Sequence, residues 1–264
     1  MARPVIALLT DFGLRDHYVA AMKAVILDGC PDAALLDVTH DIPAQDVLAG
    51  AIELEAIAPV LPHGTVVVGV VDPGVGSGRR AVAVETERLT LVGPDNGLFS
   101  LVLRQQAMRR AIELTDNRFA RPAISRTFEG RDRFAPAAAW LATGVDMATM
   151  GPACGGLVRL EVPVPVLSAE GVDGVVLRID RFGNLVTNIP VDMLAAMRAG
   201  LTVEVGGARI PRLVATYADA PSGSLCALAG STGALEISLT GGSAAATLKV
   251  SRGAAVCVQA RPRA

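Results

Sequence analysis

The sequence predicts a layered α/β domain over residues 1–162 and a smaller antiparallel β domain, barrel or sandwich, over residues 168–264. Two changes of pattern carry this reading. Up to about residue 160, short apolar strands alternate with helical periodicities, whereas beyond it short strands recur between Gly, Asp and Asn. Between the two stretches, Val162-Pro163-Val164-Pro165-Val166 is an extended run whose prolines cannot donate to a ladder, and the domain boundary is placed there.

In the first domain, Val5–Leu9 is a short apolar strand, Tyr18–Asp28 has helical period, and Ala34–Val38 is again a strand. A helix follows from about Gln45 to Ile57, then the buried strand Val66–Val71 and the β-branched runs Ala81–Thr86 and Thr90–Val92. The turn Gly93-Pro94-Asp95-Asn96-Gly97 leads into a helix through Leu103, a strand near Ile112 and a long helix from Arg131 to Gly144. Helices are expected on both faces of the sheet. In the second domain the expected strands are Gly174–Ile179, Leu185–Ile189, Leu201–Val205, Ile210–Ala215, Ser224–Ala229, Ala234–Ser238 and Ala254–Gln259.

Composition excludes several function classes. A net charge of −2 offers no footprint for nucleic acid or an acidic membrane, and 3% aromatic residues leave few stacking platforms. The chain is 51% hydrophobic, yet no run reaches the roughly 18 residues of a spanning helix. That apolar excess over the needs of one core points to an oligomer. The four cysteines, Cys30, Cys154, Cys226 and Cys257, have no metal-ligand or redox spacing, and the N-terminal residues do not read as a signal peptide. A cytoplasmic protein with reduced thiols, no metal and no bound cofactor is expected.

Chemistry-bearing residues cluster at predicted strand ends. Asp72 follows the strongest strand and precedes Gly74, Gly76 and Gly78, but the next segment reads as a strand, not the helix a dinucleotide loop requires. A Gly-rich turn with Asp72 capping the backbone is the simpler alternative. Asp11 ends the first strand, where α/β sheets bind ligands, and an N-cap role for it is equally open. Glu129, Arg131, Asp132 and Arg133 precede an apolar helix and read locally as a solvated, charge-paired helix start. Asp180-Arg181-Phe182-Gly183-Asn184 and Gly230-Ser231-Thr232-Gly233 read locally as turns. His17 and His40, beside Asp16 and Asp41, are candidates for a site rim.

Taken together and in order, these segments resemble one family. Thr10-Asp11-Phe12-Gly13, Val71-Asp72-Pro73-Gly74-Val75-Gly76, Gly93–Gly97, Gly130-Arg131-Asp132, Asp180 to Asn188 and Gly233 to Ile237 are similar to the S-adenosylmethionine hydroxide adenosyltransferases, relatives of fluorinase and chlorinase. The resemblance implies an N-terminal α/β domain, a C-terminal β-barrel, and a homotrimer whose sites join the N-domain of one chain to the C-domain of its neighbour. It implies hydrolysis of S-adenosylmethionine to adenosine and L-methionine.

By that resemblance Asp11 holds the ribose hydroxyls and Gln45 positions the sugar and methionine chain. Asp180 faces the methionine ammonium, Asn184 the adenine edge and Ser231 the methionine carboxylate, with Tyr217 available to stack on adenine. The water-activating Asp and Arg of the hydrolytic branch match Asp72 and Arg79. The branch's histidine does not match: the family reads Phe-His-Gly-Arg-Asp and this chain reads Phe128-Glu129-Gly130-Arg131-Asp132. Glu129 is a weaker base than imidazole unless its surroundings raise its pKa. A catalytically silent trimer that binds S-adenosylmethionine or adenosine, and adenosyl transfer to halide, are the alternatives.

Overall fold

The computed structural model describes residues 3–195, 197 and 200–260. The chain divides into two compact units, Met1–Leu160 and Glu161–Ala264.

The first unit is built on a six-stranded sheet of β1 (Val5–Thr10), β2 (Ala34–Thr39), β3 (Thr65–Val70), β4 (Ala81–Thr86), β5 (Leu89–Pro94) and β6 (Met108–Glu113), in the order β2-β1-β3-β5-β4-β6. β2, β1, β3 and β5 run parallel, and β4 is antiparallel to both β5 and β6. Around it lie α1 (Tyr18–Gly29), α2 (Val47–Ile57), α3 (Val102–Gln105) and α4 (Ala135–Ala142). The two-residue period of β1 explains the layering. Ile6 and Leu8 share one core with Met22 and Ile26 of α1 and Ala138 of α4, while Ala7 and Leu9 share the other with Leu54 of α2 and Val102 of α3. Helices on both faces bury β3 throughout, which is why its sequence is a continuous apolar run.

The crossovers position the site. The connection through α1 sets β2 on one side of β1, and the connection through α2, on the opposite face, sets β3 on the other side. The direction of winding therefore reverses between β1 and β3, the topological switch point at whose carboxyl ends α/β sheets bind ligands. Asp11 follows β1 directly and Asp72 lies two residues beyond β3.

The second unit contains β7 (Val166–Leu167), β8 (Gly171–Ile179), β9 (Leu185–Pro190), β10 (Leu201–Val205), β11 (Ala208–Ile210), β12 (Leu225–Ala229), β13 (Ala234–Leu239) and β14 (Ala255–Ala260). Two short helices, α5 (Val191–Leu194) and α6 (Ala244–Leu248), complete it. The strands pair antiparallel in the order β11-β10-β14-β8-β9-β13-β12, with β7 on β8. A bridge between Leu213 and Ala227 brings the chain after β11 back to β12, so the sheet nearly closes into a barrel around Val172, Leu185, Val203, Leu235 and Val258.

Three local expectations change. The strand expected over Ile210–Ala215 is instead Ala208–Ile210, because Pro211 has no N–H for a ladder and the chain beyond it returns to β12 through the isolated Leu213–Ala227 bridge. The end of the Pro-rich run, taken as an unpaired connection, pairs as β7 with Val172 and Asp173. The helix expected to run from the Gly97 turn through Leu103 is the single turn α3.

Candidate active site

Arg79 is the centre of the first unit's polar cluster. Its Nε donates to both oxygens of Asp72, at 3.0 and 3.1 Å, and its Nη2 donates to Asp72 Oδ2 and, at 2.6 Å, to Glu129 Oε2. The face of Phe134 lies 5.3 Å from the guanidinium carbon. All three charged side chains are largely buried, with exposures of 11% for Arg79, 5% for Asp72 and 16% for Glu129. Burial alone would disfavour the arginine's charge, but the bonds and charges of Asp72 and Glu129 outweigh it and hold its pKa above the usual value. Asp72 thus grips a side chain, and the backbone-capping alternative for it is set aside. The segment after the glycines is β4, as the sequence indicated, and not a helix.

Glu129 stands directly before a helix that opens with one π-helical turn, Gly130–Phe134, and runs on into α4. Such turns recur at functional sites. Arg133, one turn on, brings Nε to 3.7 Å from Glu129 Oε1 and anchors Nη1 on the Leu114 carbonyl. The charged run is not the solvated helix start that its local sequence suggests: the Asp132 side chain is fully buried. It accepts from Arg131 at 2.6 and 2.8 Å and from the Ser125 N–H at 2.8 Å, with Arg121 at 3.2 Å. These bonds overcome the opposing effect of burial and lower its pKa.

Asp11 is not an N-cap, since α1 starts only at Tyr18. Its Oδ2 accepts from the Gln45 N–H at 2.7 Å, and Gln45 adopts φ 65°, a left-handed conformation that costs a non-glycine residue about 1 kcal/mol or more. Asp11 and Gln45, far apart in sequence, are thereby brought together. Thr10 is locked from behind by His40 Nδ1 at 2.8 Å, and His40 Nε2 meets Asp37 at 3.0 Å. Lys23 contacts the other oxygen of Asp37 at 2.6 Å. His40 is buried and supports the end of β1, so it does not line a rim.

Aromatic rings join the two loops. Phe12, next to Asp11, lies edge-on to Phe128, next to Glu129, with centroids 5.9 Å apart, and Tyr18 packs on both. Single-sequence reading did not find this cluster, nor His40 behind Thr10. Arg133 was visible as the i,i+4 partner of Glu129, a spacing that goes unweighted when the whole run is read as solvated.

In the second unit, Asp180 closes the turn between β8 and β9. Its Oδ1 accepts from the Phe182 and Asn184 N–H groups, both at 2.9 Å, and its Oδ2 accepts from Asn184 Nδ2 at 2.9 Å. Asp180 and Asn184 are therefore one hydrogen-bonded pair. Tyr217, about half exposed, donates its hydroxyl to the buried Glu236 at 2.5 Å, and Ser238 donates to the same oxygen at 3.0 Å. The Glu236 bond, with some burial, pushes the Tyr217 phenol up to about 12, so it stays a donor at neutral pH. Ser231 is exposed in the Gly230–Gly233 turn, whose backbone closes through Gly233 N–H to Gly230. Among the described residues, no group of three or more His, Cys, Asp or Glu side chains is arranged to hold a metal, and no helix is long and apolar enough to cross a membrane.

A carboxylate–guanidinium cluster at the switch point of an α/β sheet, carried on one chain with an antiparallel barrel, defines a two-domain enzyme acting on a small molecule. The chain belongs to the SAM hydroxide adenosyltransferase family: the N-terminal domain model matches residues 6–151 and the C-terminal domain model residues 174–257. It is 44% identical to the (R)-S-adenosyl-L-methionine hydrolase of Thermus thermophilus, over 95% of this chain and 97% of that protein. The enzyme of the same name from Salinispora tropica is 41% identical, over 95% of each chain. A fluorinase from an Actinoplanes species is 29% identical over 70% of this chain and 72% of its own length. The crystal structure of an uncharacterized conserved protein from Thermotoga maritima superposes with a TM-score of 0.92 at 32% identity, over 96% of this chain and 99% of that one.

Proposed function

We propose that this chain hydrolyses (R)-S-adenosyl-L-methionine to adenosine and L-methionine by attack of water at the ribose C5′. The observation that carries the reading is the Asp72–Arg79–Glu129 cluster, set with Asp11 at the carboxyl ends of adjacent parallel strands. The shared name of the relatives at 36–44% identity supports the substrate and the reaction. In the step, the water oxygen bonds to C5′ and the C5′–sulfur bond breaks. Its electron pair stays on sulfur as the neutral thioether of methionine, and the water's proton passes to a carboxylate. Because a neutral thioether leaves unprotonated, the step calls for no general acid.

Glu129 is the proton acceptor in this reading. Arg79 engages both oxygens of Asp72, whereas Glu129 Oε1 meets its neighbouring cation, Arg133, at the longer 3.7 Å. Asp72 holds Arg79 in place, and Arg79 aligns Glu129 and the water. Asp11 takes the ribose hydroxyls on the oxygen not given to Gln45, and Gln45 positions the sugar and the methionine chain. Asp180 attracts the ammonium and Asn184 reads the adenine edge. Tyr217 stacks on adenine and Ser231 binds the carboxylate. The enzyme works as a cytoplasmic homotrimer.

Incubation with each sulfonium epimer separately, followed by chromatography, tests the reaction. Adenosine and methionine should appear in equal amounts, faster from the (R) epimer, and in ¹⁸O-labelled water the label should enter the adenosine 5′-hydroxyl. Tight binding of either epimer without product would instead favour the silent-binder reading. Light scattering after size exclusion should return three times the chain mass; an active monomer would refute the trimer.

A further inference from the structure

The turn Gly93–Gly97 supplies none of the residues proposed to handle the water or the adenosyl group, yet its side chains hold the residues flanking both members of the proposed Asp72–Arg79 pair. Asn96 Nδ2 donates to the carbonyl of Val71, the residue before Asp72, at 2.7 Å, while Asn96 Oδ1 accepts from the Leu98 N–H at 3.2 Å. The parallel β3–β5 register ends at Val68 and Val92, so Val71 lies beyond the ladder and a side-chain amide takes the place of a strand there. Asp95, next in the chain, accepts from Nε of Arg80 at 2.8 Å and from its Nη2 at 2.5 Å, and its own N–H donates to the Arg80 carbonyl at 2.9 Å. Arg80 follows Arg79. Its guanidinium continues to the carbonyls of Gly155 and Gly156, at 3.0 and 2.9 Å, and Asp95 Oδ1 accepts from the Val158 N–H.

The turn is itself fixed. A Cβ on Gly93 would fall 2.2 Å from the Gly69 carbonyl oxygen of β3, so β5 approaches β3 as only glycine permits. Gly97 holds φ +95° against the side chain of Leu160. Two adjacent side chains of a rigid turn thus set the backbone on either side of the Asp72–Arg79 contact. Val71 and Arg80 are the two ends of the Gly-rich loop that carries Asp72 and Arg79, and the turn holds both ends.

We infer that Asn96 and Asp95 are positioning residues for water activation, Asn96 acting through Asp72 and Asp95 through Arg79. The inference rests on the roles proposed above for those two residues. It predicts an effect on turnover without one on adenosyl binding, because neither side chain adjoins Asp11 or Gln45. A misplacement on the order of 1 Å costs a reaction step about 10²-fold.

The test is a double-mutant cycle on the full-length protein, with kcat and KM for S-adenosylmethionine and the Kd of adenosine. Asn96→Asp is the informative variant, since it keeps the acceptor for Leu98 and removes the donor to Val71; Asn96→Ala is its companion, and circular dichroism verifies the fold of each. Asn96→Asp should lower kcat by about 10–100-fold while KM and adenosine Kd change less than about twofold. In an Asp72→Asn background, the same substitution should lower kcat by less than about twofold more, because both act through one group. Losses that multiply in the double mutant, or a raised KM with parental kcat, would mean a general structural role and overturn the inference. If Asp72→Asn is slow while Asn96→Asp and Asn96→Ala turn over like the parent, the inference fails and the role of Asp72 stands. If Asp72→Asn is itself as fast as the parent, the role of Asp72 fails and the inference falls with it.

Discussion

Replacing Glu129 by glutamine preserves the side chain's shape and removes both its negative charge and its capacity to accept a proton. The carboxylate lies 2.6 Å from Arg79 Nη2 and 3.7 Å from Arg133 Nε. At ~4 Å and an effective dielectric of 20, each such pair is worth about 4 kcal/mol before screening, and the 11–19% exposure of these side chains reduces that. Two cations therefore flank the Glu129 carboxylate. Loss of a positioned general base costs about 10²–10⁴ in rate, so kcat for S-adenosylmethionine should fall by that factor while the Kd of neutral adenosine is unchanged. Glu129→His, which installs the family's usual base, should retain or raise activity. The assay is adenosine release from S-adenosylmethionine, and a Glu129→Gln enzyme as fast as the parent would refute the assignment.

Asp11→Ala should weaken S-adenosylmethionine and adenosine alike by about 1.5–3 kcal/mol in calorimetry, the worth of a hydrogen bond to a charged group. Asp180→Asn should weaken S-adenosylmethionine and spare adenosine; the amide is chosen over alanine because its carbonyl can still accept from the Phe182 and Asn184 N–H groups, both at 2.9 Å. Asp132→Asn should lower the thermal midpoint at pH 7 by an amount matching about 1.5–3 kcal/mol. Its native pKa lies below the unfolded 3.8, so the contribution is full above that value and is lost as pH falls through the lowered one. Melts from pH 7 to pH 3 should therefore show the difference between the two proteins shrinking at the acid end, and a constant difference would contradict this account.

The sequence made the sheet legible because its signals are local. A strand buried on both faces must read as the continuous apolar run of β3, and a 3.6-residue period marks α1. The same locality hid much of the site. Glu129 and Asp132 sit in one charged run, but what buries them is tertiary: the arginines at 79 and 121, and the aromatic contact of Phe12 with Phe128, arrive from elsewhere in the chain. Asp11 read equally well as a cap, and only its bond to Gln45, across a long separation in sequence, decided between the two. Asn96 looked like a turn residue and is one; that its amide reaches the end of β3 follows from the β3–β5 neighbourhood, which no short window contains.

The charge balance of the cluster argues which nucleophile it serves. Asp72 and Glu129 face a single shared guanidinium, with Arg133 further off, so the pocket they form carries no surplus of positive charge. An incoming halide would meet two carboxylates, each repelling it by roughly 4 kcal/mol at ~4 Å and a dielectric of 20, offset in part by the attraction of Arg79 and the more distant Arg133. Water pays no such penalty, since it is neutral and gains by donating a hydrogen bond to a carboxylate oxygen. Under the proposed roles, water attack at C5′ discharges the cationic sulfonium and delivers a proton to the cluster. A site of this composition therefore favours hydrolysis over halide transfer, on electrostatic grounds independent of the identity of any relative.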